Sequence, residues 1–245
     1  MNILVTGGTK GIGRAVAERF AAPGVKVFVA YARDDAAAEA TAAAIAKRGG
    51  EPFRVKCDVG DADSRRLLMA EIARQTSTLE QIVHCAVSSP WGPLLEVSAE
   101  ETLRSVMVNG LAPLEVVRAA TALLARGSTV MVISRRGSSM VIPGYGPIGI
   151  AKALVESAMR YLAVELAPKG IRTHVIEVTA VLTDTYRSIV PDAEERMAEL
   201  GAASPAGRGV TTADIADAVQ WLASERAEML TGRTVVLDGA ANLLV

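Results

Sequence analysis

The apolar run Ile3-Leu4-Val5 passes directly into Thr6-Gly7-Gly8-Thr9-Lys10-Gly11-Ile12-Gly13, and a helix-forming segment follows at once. A strand feeding a glycine-rich turn and then a helix leaves little choice of architecture. It opens a parallel β-α-β unit, in which glycines serve the tight turn, the close approach of backbone to ligand, and the packing of helix on strand. The amides of the helix's first turn then face outward, where they can meet phosphate.

The rest of the chain repeats the pattern. Short β-branched runs at 3–5, 25–31, 52–57, 81–85, 129–134, 172–178 and 234–237 read as strands, and amphipathic stretches at 11–22, 36–48, 62–75, 99–125, 148–167 and 212–223 read as helices. The alanine-rich stretch 36–46 is an ordinary covering helix, since alanine is the best helix former. Strict alternation predicts an α/β fold: a single doubly wound Rossmann-type domain over 1–245, with a seven-stranded parallel sheet and helices on both faces. No strand or helix is placed in 183–209, whose length suggests a substrate lid.

Charge and composition narrow the function. The 26 basic and 27 acidic residues give a net charge of −1 and are scattered, so no field favours nucleic acid or anionic lipid. Cys57 and Cys85 lack metal-ligand or redox spacing and read as buried thiols in a reducing compartment; no metal site is expected. The start carries no basic leader and no apolar run reaches the roughly 20 residues of a membrane span, so a cytoplasmic protein is expected.

Glycines spaced Gly7-x-x-x-Gly11-x-Gly13, Asp58 after the third strand, Asn109 in a long helix, Leu230-Thr231-Gly232 and Asp238-Gly239 together resemble the short-chain dehydrogenase/reductase superfamily along the whole chain. The resemblance implies a dinucleotide held by Gly7, Thr9, Lys10, Gly11, Ile12 and Gly13, by Asp58 and Val59 at the adenine, by Cys85 and Ala86 after the fourth strand, by Lys152, and by Ala180, Val181 and Thr183 after the sixth. At the end of the second strand, where an NAD enzyme of this fold places an acidic side chain, Tyr31 stands with Arg33 two residues on. Arg33 and Lys10 are placed to share a 2′-phosphate, which favours NADP(H).

The usual catalytic set of the superfamily, a Ser with a Tyr four residues before a Lys, is broken. Counting back from Lys152, the Tyr position holds Ile148, and the Ser position holds Arg135. The nearest phenol, Tyr145, lies seven residues before Lys152. That spacing, with His84-Cys85-Ala86, the run Tyr161 to Lys169, and Ser204-Pro205-Ala206-Gly207-Arg208, resembles the NADPH-dependent bacterial enoyl-acyl-carrier-protein reductase branch. In an enoyl thioester the hydride goes to the β-carbon while charge appears on a distant oxygen. Seven helical residues carry a phenol about 10 Å along the axis, against about 6 Å for four, although Gly146-Pro147 suggests that the helix begins only there. The expected roles are Tyr145 as donor to the enolate oxygen, Lys152 as ribose ligand and source of the charge that keeps the phenol acidic, and Asn109 in a supporting role. His84 is assigned no chemistry, and Val178-Thr179 replaces the family's Pro-Gly turn.

The expected substrate is an enoyl thioester on acyl carrier protein or coenzyme A, in fatty-acid or polyketide synthesis, with Trp91, Tyr145, Ile189 and Met197 lining the acyl channel beside Leu94, Val190 and Leu200. The resemblance implies a homotetramer, and helix 148–167 carries more apolar surface than one sheet contact requires. Two alternatives stay open: a carbonyl reductase or alcohol dehydrogenase that uses Tyr145, and a non-catalytic NADP(H)-binding regulatory protein.

Overall fold

A computed structural model of the chain describes residues 1–243. The strands are β1 (Asn2–Thr6), β2 (Lys26–Tyr31), β3 (Glu51–Lys56), β4 (Gln81–His84), β5 (Thr129–Arg135), β6 (Arg172–Val178) and β7 (Arg233–Leu237). They form one sheet in the order β3-β2-β1-β4-β5-β6-β7, every pair parallel. Each observed strand lies within one residue of its expected limits, β1 extending one residue beyond the run 3–5 at both ends.

The central strands are apolar on both faces, and their alternation feeds two cores. Leu4, Phe28, Ile82, Val130 and Val132 point to one side, where they meet Leu68, Ile72, Val116, Val155 and Met159. Ile3, Val5, Val27, Val29, Met131 and Ile176 point to the other, against Val16, Ala17, Ile215 and Val219. The first side is covered by α3 (Ala62–Gln75), α5 (Ala112–Ala120) and α6 (Gly146–Leu166). The second is covered by α1 (Gly11–Phe20) and α9 (Thr212–Ala223), with α2 (Asp35–Lys47) beside them. Helices enter where the sequence supplies caps: Asp34 accepts from Ala37 N–H, Asp61 from Ser64 N–H, and Thr211 forms a reciprocal box with Asp214.

Two expectations about elements change. The long helix at 99–125 is three pieces: α4 (Ala99–Ser105), a π-helical turn (Val106–Leu111) and α5, which stops at Ala120. The cause is Asn109. Its amide donates to Ser88 O (2.7 Å) and Ser105 Oγ (2.8 Å) and accepts from Ser88 N–H (2.9 Å), so the widened turn serves the loop after β4. The stretch 183–209 is not irregular throughout: it forms α7 (Asp184–Ile189) and α8 (Ala193–Ala203), held together by Ala180, Tyr186 and Ala193 with Leu182, Val190, Met197 and Leu200.

Cys57 is buried as expected, whereas Cys85 is only partly buried and faces the cleft described next. Burial pushes the thiols up, to about 11 and about 12, so neither is a ready nucleophile. Among the described residues no helix is long and apolar enough to cross a membrane.

Candidate active site

β1 has β2 on one side and β4 on the other, so the chain's direction of winding reverses there and a crevice opens at the carboxyl ends of the strands. The cleft over it has a volume of about 950 Å³. Every residue expected to touch a dinucleotide lines it, from the glycine loop through Tyr31, Arg33, Asp58, Val59, Cys85, Ala86 and Lys152 to Ala180, Val181 and Thr183.

The glycine loop is shaped for a close ligand. Gly7 has φ +64°, and a Cβ on it would come within 2.7 Å of the Ala86 backbone. At Gly13 an added methyl would overlap the Gly7 carbonyl, whose carbon lies 2.9 Å from the Cβ position. β1, the loop and the first turn of α1 therefore approach to within backbone contact, leaving amides rather than side chains facing the cleft. This cradle fits a pyrophosphate, and no bulky group of the protein fills it.

At the β2 end the expected pair of cations is not free. Lys10 is in an ion pair with Asp34, and that partner's hydrogen bond raises the lysine's pKa. Tyr31 donates its hydroxyl to Asp35 (2.9 Å), which also accepts from Lys56 (2.8 Å). Arg33 lines the cleft without an ion pair among the described residues. Lys10 thus reaches a 2′-phosphate only by leaving Asp34, an exchange that an exposed pair permits. Asp58 has also found a protein partner: Arg104 donates to it at 2.7 Å, and Gly60 N–H at 2.9 Å.

At the other end, Tyr145 is the N-cap residue of α6, outside the helix rather than a turn within it, with φ −93° and ψ 1°. Its ring is buried, edge-on to Trp91 with centroids 5.8 Å apart. Burial raises the phenol's pKa to about 12, and the charge that opposes this among the described residues is that of Arg135. Lys152 does not act on the phenol, contrary to expectation. It is buried nearly two turns into α6 and donates to Ile133 O (2.7 Å), and burial lowers its pKa to about 8. The cation over the Tyr145 ring is Arg135, with its guanidinium carbon 5.4 Å from the centroid.

Asn109 does not line the cleft, and its side chain is fully used by Ser88 and Ser105. It positions the loop after β4 and makes no link to Lys152. His84 is likewise structural. Its Nε2 faces Val108 O (3.1 Å), which only accepts, so Nδ1 (2.9 Å from Thr6 Oγ1) takes the hydroxyl proton. Burial, with the Lys152 charge, pushes its pKa down to about 3 and keeps the ring neutral.

Of the residues expected on the acyl side, Trp91, Tyr145, Ile189, Val190 and Leu200 line the cleft. Met197 does not, because it packs inside the lid's own cluster, and Leu94 lies outside the lining, half exposed. Val178 and Thr179 do line it, so the altered turn is part of the cleft's wall. Sequence reading missed Tyr186, Ile142, Pro143 and Arg136 as lining residues, and took Arg135 only as a departure. The adjacent pair Arg135-Arg136 at a strand's carboxyl end, where the cleft had to be, was the available signal.

Comparison with known proteins agrees with this fold. The family described as enoyl-(acyl carrier protein) reductase matches residues 7–242. The chain is 30% identical to the 1-cyclohexenylcarbonyl-CoA reductase of Streptomyces collinus over 98% of its own length and 86% of that protein's. It is 30% identical to versicolorin reductase 1 of Aspergillus parasiticus, covering 97% of this chain and 95% of that one. A short-chain dehydrogenase/reductase from Serratia marcescens superposes with a TM-score of 0.89 at 26% identity, covering 97% of this chain and 96% of that one.

Proposed function

This chain belongs to the short-chain dehydrogenase/reductase family, and we propose that within it the protein is an NADPH-dependent reductase of the carbon-carbon double bond of an enoyl thioester. The observation that carries this reading is the displaced phenol. Ile148, buried, occupies the place of the carbonyl reducer's tyrosine, whereas Tyr145 reaches the cleft from the N-cap of α6. The relative from Streptomyces collinus supports it, because its name specifies an unsaturated acyl-CoA substrate.

NADPH, when bound, supplies the hydride. The glycine loop and α1 amides hold its pyrophosphate, Arg33 the 2′-phosphate, and Lys152 the nicotinamide ribose. Tyr145 donates its proton towards the thioester oxygen as the double bond is reduced and charge moves onto that oxygen. Its raised pKa keeps it a protonated donor throughout the neutral range. Trp91 and the lid residues Ile189 and Leu200 exclude water and line the acyl group's path. The acyl carrier is acyl carrier protein or coenzyme A, and the assembly is a homotetramer, a role for which the exposed Tyr161 and Val164 on the outer face of α6 are suited. We place the protein in the cytoplasm, in fatty-acid or polyketide synthesis.

The test is NADPH consumption with crotonyl and, in parallel, acetoacetyl thioesters. Turnover of the crotonyl substrate alone is expected. Reduction of acetoacetyl thioester alone would replace this reading with that of a carbonyl reductase, the activity class suggested by the likeness to versicolorin reductase, and binding of NADPH with neither reaction would leave a regulatory binder.

Lys152 gives this site a pH signature. The lysine is lowered from 10.5 to about 8, so its charge is present below that pH and lost above it. A ribose ligand that works as a cation is held at neutral pH, and NADPH affinity then falls by up to about tenfold per pH unit above 8. Fluorescence titrations from pH 6 to 10 check this, and a Lys152→Met variant, weaker throughout, is expected to show no such slope. An affinity flat from pH 7 to 10 in the unaltered protein would remove the charge from Lys152's role.

A further inference from the structure

Arg135 ends β5, opposite Val178 of β6, and its side chain enters the cleft beside Tyr145. Its Nε is buried without a hydrogen-bond partner. Burial, foremost, and the cation of Arg136 disfavour its charge; the phenols of Tyr145 and Tyr186 are the other titratable groups close enough to act on it, and no carboxylate among the described residues is. The nearby acids are engaged elsewhere. Glu156 accepts from Ser134, Glu177 and Asn242 are in contact, and Asp184 pairs with Arg187.

A largely enclosed guanidinium whose Nε is buried without a partner, and which has no counter-ion among the described residues, is costly, and attraction to one aromatic face recovers only part of that cost. The cofactor does not supply the anion, since its phosphates are accounted for by the glycine loop and Arg33. The missing partner must therefore come with the substrate. It must be planar and doubly accepting to match the guanidinium fork, and it must lie beside the phenol that faces the reacting group.

We propose that Arg135, with the phenols of Tyr145 and Tyr186, forms a pocket for a carboxylate carried by the substrate close to its reacting double bond. The preferred substrate is then an acidic enoyl thioester. This rests on the enoyl-thioester reading for the rest of the molecule it names, but the pocket itself is tested without turnover. Buried on one side by Trp91 and Tyr145 and on the other by the lid helix that carries Tyr186, the carboxylate replaces the water that would otherwise solvate the cation.

The experiment uses the NADP⁺-loaded protein, in which no reduction occurs. Crotonyl-CoA and glutaconyl-CoA, which differ by one carboxylate on the γ-carbon, are titrated by calorimetry. Glutaconyl-CoA is expected to bind at least tenfold more tightly. Arg135→Met is expected to abolish that preference while changing crotonyl-CoA and NADP⁺ affinity less than twofold, and Arg135→Lys to retain part of it. Equal affinity of the two thioesters in the unaltered protein overturns the proposal, and that comparison stands even if the variants do not fold. A preference that survives in Arg135→Met, or an equal loss for both thioesters, overturns it too. Failure of the enoyl-reductase reading is seen separately, as absence of NADPH consumption with any enoyl thioester.

Discussion

Tyr145→Phe is expected to lower enoyl-thioester turnover by about 10²–10³-fold, the usual cost of removing one donor to a developing oxyanion. The substitution is clean because the ring is held by packing rather than by its hydroxyl. Trp91 meets it edge-on, Arg135 lies over its face, and α6 begins at its backbone. Phe keeps all three contacts, so NADPH affinity should change by less than about threefold, and the melting temperature by no more than a few degrees. The loss should fall on kcat, since a bond made chiefly in the transition state stabilises the substrate complex little. Steady-state rates with crotonyl thioester and a cofactor titration on the same preparation decide the matter. A variant that retains more than a tenth of the wild-type kcat would show that Tyr145 is not the donor. Because the phenol's pKa stands at about 12, the wild-type rate should show no decline assignable to Tyr145 below pH 10.

Gly13→Ala should abolish measurable NADPH binding, weakening it by about 100-fold or more. The position has ordinary helical geometry, so the effect comes from space alone. An added methyl overlaps the Gly7 carbonyl and approaches the Gly8 Cα to 3.1 Å, and neither backbone atom can swing aside as a side chain would. Relief requires α1 to move away from the loop, which withdraws the amides that meet the pyrophosphate. Overpacking of this kind destabilises by about 1–3 kcal/mol, so the variant should fold with a lowered melting temperature. Gly24→Ala serves as the comparison: it has φ +78° but nothing within 4 Å of the added carbon, so it should cost stability without affecting the cofactor. If Gly13→Ala binds NADPH as the parent does, the backbone approach at the loop is not what holds the phosphates.

The strands were legible because two opposed helical layers require them to be apolar on both faces, and Ile3-Leu4-Val5 or Val130 to Ile133 have no other use in a chain without a membrane-length run. Helices 62–75 and 212–223 were legible to the residue, because Asp61 and Thr211 are capping residues followed at once by helix formers. The helix through Asn109 was read as continuous because the apolar spacing is helical on either side of it, and the π turn, which adds one residue to the circuit, shifts its phase without interrupting it. The lid's two helices were missed because they are short and bury little: α7 hides only Tyr186, and α8 only Ala193 and Gly201.

At the site the division is sharper. Backbone features, the glycine spacing and the N-terminus of α1, are local, so residues adjacent in sequence determine them, and the whole expected dinucleotide lining proved to share one cleft. Charge is not local. Lys10 and Asp34 lie on different loops, Asp58 lies after β3 and Arg104 on α4, and only the approach of those elements in the fold makes them partners. The same is true of the phenol: its sequence neighbour at a helical interval is Lys152, yet the cation that reaches its ring comes from the end of β5. By itself the sequence determined the sheet, the phosphate loop and the displaced tyrosine, because each follows from residues a few places apart. The tertiary structure alone decided which charges are spent on one another and which, Arg33 and Arg135 among them, are left facing the cleft without an ion pair among the described residues, because electrostatic partnership depends on distance through space and on the water excluded between the groups.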